Sequence, residues 1–325
     1  MKSIDRRGAM GLALATPFLV HGASAQSDWP TRPIRLVVPF TAGGGGDSSA
    51  RPLAARMTET LGQNVLIENR TGGNAVVAAS SVLQGQRDGY SYLVDAANQL
   101  TNPLLLRDLP FDYATSFVPV TMTARFPQVV AVRDGLPVRT IQELIEYVRA
   151  RPGTVSCGTP PTAGSGHLAL ALLELRAGLR FIHTPYRGGA DAARDIAGGQ
   201  IDSMILTSSS ARVPIEGGRA RALAMTSTER SPAYPGVPTL AESGFPGFDM
   251  DDWNGLFAAE GAPASCIPRM QAAVAEACRD EVVQARMAPL GTVLVGNSTA
   301  DFTAWLIRQR EIVTQVIRDA HITLG

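Results

Sequence analysis

The strongest constraint on this chain is an alternation of strand and helix that runs, stops and restarts. "IRLVVPF" (34–40) is short, continuous and apolar, the pattern of a strand buried on both faces. "SSARPLAARMTETLG" (48–62) reads as a helix, with Asp47 placed to cap its start and Gly62 to stop it. "QNVLIENR" (63–70) is a second strand, "AVVAASSVLQGQ" (75–86) a second helix and "DGYSYLVDA" (88–96) a third strand. Such alternation implies parallel sheet with right-handed crossovers.

A linking region follows, "LPFDYATSFVPVTMTARFPQVVAVRDG" (109–135), and then the alternation resumes. "TIQELIEYVRARPG" (140–153) is an amphipathic helix whose Thr140 and Glu143 form a capping box. After it come "TVSCGT", "HLALALLELRAG", "RFIHTPY", "GADAARDIAGG" and "QIDSMILT", strand and helix in turn, then "RARALAMTS" and a Pro/Gly-rich passage, "SPAYPGVPTLAESGFPGF". The C-terminal third reads as mainly helical. The expected architecture is two α/β lobes. Residues 26–128 and 248–325 form lobe 1, residues 129–247 are an inserted lobe 2, and the C-terminal helices return to lobe 1. In such folds a ligand sits in the crevice at the C-terminal ends of the strands.

The first 25 residues read as a cleaved signal peptide. Lys2, Arg6 and Arg7 precede a short apolar stretch and the small-residue site "ASA". "RRGAM" matches the twin-arginine motif poorly. An exported protein is therefore expected, an uncleaved N-terminal anchor being the competing reading. Removing the segment leaves 26 cations against 28 anions, a net charge of −2, which is no footprint for nucleic acid. Lys2 is the only lysine, so the exported chain has none for a Schiff base, a Ser-Lys dyad or a phosphate loop. Cys157, Cys266 and Cys278 read as buried thiols. His167, His183 and His321 lack metal-ligand spacing. No cofactor and no metal are expected.

Two constellations carry the chemistry. The first is "PFTAGGGGDSSAR" (39–51), with four consecutive glycines between a strand and a helix. Such a turn bares N–H groups at a helix N-terminus, which attract anions. The candidate contacts are Phe40, Thr41, Ala42, Gly43, Gly44, Gly45 and Asp47, with Ser48 and Ser49 adding hydroxyls. Asp47 disfavours a phosphate dianion and tolerates a carboxylate, above all if capping occupies its oxygens. A ligand-free structural turn is the competing reading. The second constellation is "CGTPPTAGSGHLALALL" (157–173), another strand, small-residue loop and helix. Its candidates are Thr159, Pro160, Thr162, Ala163, Ser165 and His167. Each helix dipole contributes about 0.3–1 kcal/mol to a bound anion and each charge-assisted hydrogen bond about 1.5–3 kcal/mol. Against association costs of at least ~4 kcal/mol, the ~8 kcal/mol of micromolar binding is reachable without a side-chain cation.

His167 also admits a reading as a general base for Ser165, although no nucleophile elbow surrounds that serine and a helix-start histidine satisfying backbone is the plainer role. Further polar tips are "AANQLTN", with Asn98, Gln99, Thr101 and Asn102, and "LTSSSAR", with Thr207, Ser208, Ser209 and Ser210. Asp249, Asp251 and Asp252 lack calcium-loop spacing and read as a solvated acidic turn. Trp253 is either core or cleft wall, and Arg187 either reaches an anion or braces the hinge.

These stretches carry a resemblance. "PFTAGGGGDSSAR", "LIENRTGGNAVVAA", "DGYSYL", "HTPYRGGADAARDIAGGQID", "RARALAMTS" and "PGVPTLAESGFPGF" occur in order from about Trp29 to the end. Together they resemble the Bug receptors, the TctC-like solute-binding proteins of tripartite tricarboxylate transporters. The resemblance implies an α/β periplasmic-binding-protein fold of type II. It also implies a carboxylate held between the glycine loop and the loop before His167, with ordered waters helping. One departure stands out: Pro161 and Ala163 occupy positions where the family's second loop has glycines, and Pro161 has no N–H to offer. The function expected is an extracytoplasmic receptor that closes on a small organic carboxylate and delivers it to the membrane subunits of such a transporter, acting as a monomer. The alternatives are a receptor feeding a signalling partner and a Ser/His hydrolase.

Overall fold

The computed structural model describes residues 29–43 and 45–324. The expected signal peptide, residues 1–25, and the candidate Gly44 lie outside the described residues. The first run of alternation forms β1 (Ile34–Val38), α1 (Gly45–Leu61), β2 (Val65–Asn69), α2 (Val76–Leu83) and β3 (Ser91–Asp95). Next come α3 (Asn98–Leu105), the single turn α4 (Tyr113–Ser116) and two strands, β4 (Phe117–Phe126) and β5 (Gln128–Arg133). The second run is α5 (Ile141–Arg149), β6 (Ser156–Thr159), α6 (Ser165–Ala177), β7 (Ile182–Pro185), α7 (Gly189–Ala197), β8 (Ser203–Thr207), α8 (Ser208–Glu216) and β9 (Ala220–Met225). The chain ends in β10 (Asp252–Ala259), α9 (Cys266–Arg279), α10 (Glu281–Met287), β11 (Val293–Leu294) and α11 (Thr299–Asp319). None of the described helices is long and apolar enough to cross a membrane.

Two sheets result, ordered β11-β4-β10-β3-β1-β2 and β7-β6-β8-β5-β9. They are mixed rather than parallel. The β1–β2, β1–β3, β6–β7 and β6–β8 pairs are parallel, while β4, β5, β9, β10 and β11 pair antiparallel. The cause is the expected linker, which is mostly strand: β4 ends one sheet's span and β5 opens the other's, with Pro127 between them. The apparent breaker Pro119 lies within β4, opposite Phe257, where the β10 register shifts.

Side-chain alternation along β1 and β3 splits the first core. Leu36, Val38, Tyr92 and Val94 face the α1 and α9 side, while Val37 and Leu93 face the α2 and α11 side. Each such burial contributes roughly 1.5–3 kcal/mol. The C-terminal helices pack on elements of the first sheet's lobe, and one of them also reaches the second. α9 packs on α1 and β4, but α11 packs on α3 and β4 of one lobe and on α6 of the other. α5 starts at the cap read from sequence, where Thr140 accepts from the Glu143 N–H at 3.2 Å, but the return bond of the expected box is shifted by one residue: the Glu143 carboxylate accepts from the Arg139 N–H at 2.6 Å.

The two chain crossings between sheets are zipped together. Thr226 donates its N–H to Gln128 O (2.9 Å) and Met250 donates to Thr226 O (3.1 Å). The Gln128 amide donates to Met250 O at 3.0 Å. Arg125, at the end of β4, pairs with Asp249 and, at 3.1 Å, with Asp251. Asp249–Asp252 is therefore no solvated turn. Asp251 is buried at this crossing and Asp252 opens β10, both tied to groups distant in sequence.

Candidate functional site

The glycine loop and the start of α1 are organised by one carboxylate. α1 begins at Gly45, so Asp47 lies in its first turn and is not its cap. Asp47 is 1% exposed and accepts four hydrogen bonds: from the Gly43 N–H (2.8 Å), from Arg51 Nε and Nη2 (2.8 and 2.9 Å) and from Asn69 Nδ2 (2.8 Å). Burial alone would raise its pKa. The bonds from Arg51, Gly43 and Asn69 outweigh that and hold it below the usual carboxylate value. Asn69 Nδ2 also donates to Phe40 O at 3.0 Å, fixing the other arm of the loop. Ser48 and Ser49 spend their hydroxyl protons on Gly43 O (3.1 Å) and Gly46 O (3.0 Å), so these donors serve the loop itself. A Cβ on Gly46 would sit 2.3 Å from the Phe40 ring, whereas one on Gly45 would meet nothing within 4 Å. Gly45 thus opens onto free space in front of the helix. Thr41 and Ala42 are exposed along the same loop.

The second loop is braced differently. Thr159 ends β6, buried, with its hydroxyl 2.8 Å from His183 Nε2. Pro160 and Pro161 lead into a turn closed by the Gly164 N–H on Pro161 O at 3.0 Å, with Thr162 half-buried within it. Ala163 has φ +59°, a left-handed conformation unusual for a residue with a Cβ. Its N–H donates to His167 Nδ1 at 3.0 Å, and the His167 ring stacks on His183 at 3.8 Å. Burial and the neighbouring His183 push His167 down to about 4. At neutral pH its proton therefore sits on Nε2, since Nδ1 is an acceptor. Ser165 donates instead to Asp252 Oδ1 at 3.0 Å, linking α6 of one lobe to β10 of the other. The Ser165–His167 base pairing weighed from sequence is not formed: each side chain is committed to another partner.

The remaining candidates divide. "AANQLTN" is not a loop tip but the start of α3, and "LTSSSAR" is largely α8. Asn98 is half-buried at the head of α3. Gln99, Thr101 and Asn102 are buried, and Asn102 donates to Asn74 O (2.6 Å) and the Tyr113 hydroxyl (2.9 Å). The Thr207 hydroxyl lies 3.2 Å from that of Ser209 and 3.1 Å from that of Ser210. Ser208 is buried, and its N–H and hydroxyl both donate to Pro127 O at 2.9 Å, pinning α8 to the first crossing. Trp253 is core, packed edge-on against Trp305 and Phe302. Arg187 is exposed and braces nothing among the described residues. Sequence reasoning missed Arg51, Asn69, Asp252 and Asn254. Only Arg51, four residues after Asp47 on one helix face, had a local signal. Asn254 reaches the Ser49 hydroxyl at 3.3 Å from β10. Among the described residues no group of His, Cys, Asp and Glu is arranged to hold a metal ion.

Two lobes joined by two crossings, each presenting a strand–loop–helix turn, define a periplasmic-binding-protein fold. The sequence places the chain more narrowly. Residues 49–318 match the model of the tripartite tricarboxylate transporter family receptor, TctC, and the chain belongs to that family of non-enzymatic solute-binding receptors. It is 35% identical over 294 residues, 90% of this chain and 88% of the relative, to a UPF0065 protein from the tcbD-tcbE intergenic region of Pseudomonas sp. strain P51. Rpa4515 of R. palustris, solved with adipate, is 33% identical with a TM-score of 0.79, covering 91% of this chain and 99% of that one. MatC of Rhodopseudomonas palustris, solved with bound malate, is 27% identical with a TM-score of 0.75, covering 89% and 100%.

Proposed function

We propose that this receptor captures a small organic carboxylate between the β1–α1 loop and the β6–α6 loop and hands it to the membrane subunits of a tripartite tricarboxylate transporter. On this reading the N-terminal 25 residues direct export to the periplasm. Residues 26–128 with 248–325, and residues 129–247, then act as the two lobes of a monomer. Contacts made only when both lobes meet the ligand favour the closed form.

The observation that carries the reading is the commitment of Asp47. A bare carboxylate beside the glycine loop would repel an anion. Here all of its bonding goes to Arg51, Asn69 and Gly43, and the Arg51 guanidinium cancels its charge. The first-turn N–H groups of α1 are left facing an anion with no opposing field. Two relatives were solved with adipate and with malate, small organic carboxylates of the class proposed here.

Gly45 supplies the test. Its Cβ position is empty, so Gly45→Val fills the approach to the loop without a clash in the fold. Mass spectrometry of the copurifying small molecule and a thermal-shift screen of carboxylates identify a ligand. The expected result is that Gly45→Val abolishes that ligand's thermal shift while the ligand-free midpoint moves little. A retained shift places the site elsewhere.

A further inference from the structure

A single strand reaches the starts of both helices that follow the candidate loops. Asp252 and Asn254 of β10 are two positions apart, so their side chains leave one face of the strand, roughly 6.5 Å from each other along it. Asp252 Oδ1 accepts at 3.0 Å from the hydroxyl of Ser165, the first residue of α6. Asn254 Nδ2 donates to the Ser49 hydroxyl at 3.3 Å, and that hydroxyl donates to Gly46 O, all within the opening turns of α1. Both helix starts are seated closely. A Cβ on Gly46 would lie 3.1 Å from Asn254 Nδ2, and one on Gly166, the second residue of α6, 3.1 Å from Gln128 Oε1 at the first crossing. The strand itself is held: Asn254 O accepts from Thr123 Oγ1 of β4 at 3.1 Å, and Asp252 Oδ1 also accepts from the Trp253 N–H at 3.0 Å. Asp252 stands directly after the second crossing, so its bond to Ser165 joins the lobes beside the segments about which they can turn.

Resting on the carboxylate reading above, we infer that Asp252 and Asn254 are positioning residues, and that β10 is a shared strut fixing the separation of the α1 and α6 helix starts. Neither side chain has to touch the ligand. Helix-start amides grip an anion where they converge on it, and hydrogen bonds weaken steeply with misalignment. Freeing one helix start from the strand loses that convergence even when each loop keeps its own fold. A strut works only with both ends attached, so the two side chains act as one unit.

The test is calorimetry with propionate, butyrate, hexanoate, succinate and adipate, the acid that binds the wild type most tightly being carried through the variants. Asp252→Ala should weaken it about tenfold, equivalent to about 1.4 kcal/mol, although by charge alone the loss of a carboxylate favours an anion. Asp252→Asn keeps an oxygen that accepts from Ser165 and from the Trp253 N–H, and should bind within about threefold of wild type. Asn254→Ala should match Asp252→Ala. The double variant Asp252→Ala/Asn254→Ala should fall little below either single, because the strut is already cut. The inference is overturned if Asp252→Ala keeps its affinity, or if Asp252→Asn loses as much as Asp252→Ala. It is equally overturned if the double variant loses the product of the two singles, the result for two separate local supports. Should Asp252→Ala fail to fold, Asp252→Asn and Asn254→Ala decide: retained affinity in the first with a tenfold loss in the second supports the strut, and any other pair of results sinks it. If none of the five acids binds the wild type, the carboxylate reading falls and takes this inference with it. Binding indifferent to the β10 variants removes the inference alone.

Discussion

The β1–α1 and β6–α6 loops occupy equivalent places in their lobes, each joining a parallel strand to a helix, yet they are held by opposite means. The first is made pliable by glycine and then fixed by an ionised group, Asp47, gripped by Arg51 and Asn69. The second is stiffened by Pro160 and Pro161 and fixed by a neutral one, His167, which accepts from Ala163 and stacks on His183. The difference sets what each loop can offer a ligand. In the second, Pro161 has no N–H and that of Ala163 is spent on His167, so fewer amides remain. The first keeps its helix-start donors and neutralises the one charge that would oppose an anion. In the function proposed above, loop 1 is assigned the grip on the anion and loop 2 the wall that faces it.

Removing the carboxylate should have the largest effect. Asp47→Ala deprives Gly43, Asn69 and Arg51 of their shared acceptor. Arg51 is 50% exposed on its side chain and can turn to water, but the other donors are held in the loop. We expect a loss of about 2–3 kcal/mol in unfolding free energy together with loss of carboxylate binding. Urea unfolding and calorimetry check both. Near-normal stability would mean that glycine backbone and packing alone shape loop 1, and the contrast between the loops would dissolve.

How far this contrast could be read in advance depended on the distance over which each contact acts. Buried parallel strands such as β1, β3 and β8 announce themselves as continuous apolar runs, and the strand–helix punctuation follows. The helices α3 and α8 did not, because Asn, Ser, Thr and Pro dominate them. Their register is set by tertiary bonds, Asn102 to Tyr113 and Ser208 to Pro127 O. β10 was hidden behind three aspartates whose partners, Arg125, Thr226 and Ser165, are each at least 25 residues away. In the site, the glycine turn between β1 and α1 was legible from local chemistry, but Asp47, read as the cap of α1, instead accepts from Gly43, Arg51 and Asn69. The bond from Ser165 to Asp252 spans 87 residues and had no local signal.

Acid should separate the loops next. Asp47 has a folded pKa below its unfolded value, so its contribution is complete above pH 3.8 and lost only as the pH falls through that depressed value. His167, at about 4 against an ordinary 6.5, is kept unprotonated by folding. Its contribution is complete above pH 6.5 and declines as the pH falls toward 4. Asp251, raised to about 7 by burial against the pull of Arg125, works the other way, stabilising at low pH and losing that as the pH rises through 7. The informative quantity is therefore wild type minus His167→Gln, in which the amide oxygen can still accept from Ala163. That difference should shrink between pH 6.5 and 4, by less than the one-proton limit of ~1.4 kcal/mol per pH unit because the ring is partly solvated. A difference flat across this window would show that loop 2 is not held by a neutral imidazole.

The smallest expected effect is also the most direct exchange of one loop's chemistry for the other's. Ala163 holds φ +59° in the interior of loop 2, where a Cβ costs roughly 1–2 kcal/mol relative to glycine. Glycine removes that strain but enlarges the unfolded ensemble, which takes back about 0.4–1 kcal/mol. Ala163→Gly should therefore stabilise the ligand-free protein slightly, by about 0.5 kcal/mol. Its effect on binding separates two roles for the alanine. If the methyl of this buried residue merely fills space, affinity is unchanged. If the methyl and the neighbouring prolines pre-shape the wall, the freer loop must be ordered on closure and affinity falls by a few-fold despite the higher stability. We expect the fall, because the Ala163 N–H anchors His167 and any looseness at residue 163 is transmitted to the start of α6, which the proposed function sets against the ligand. A more stable variant with unchanged affinity would show that stiffness in loop 2 serves the fold alone.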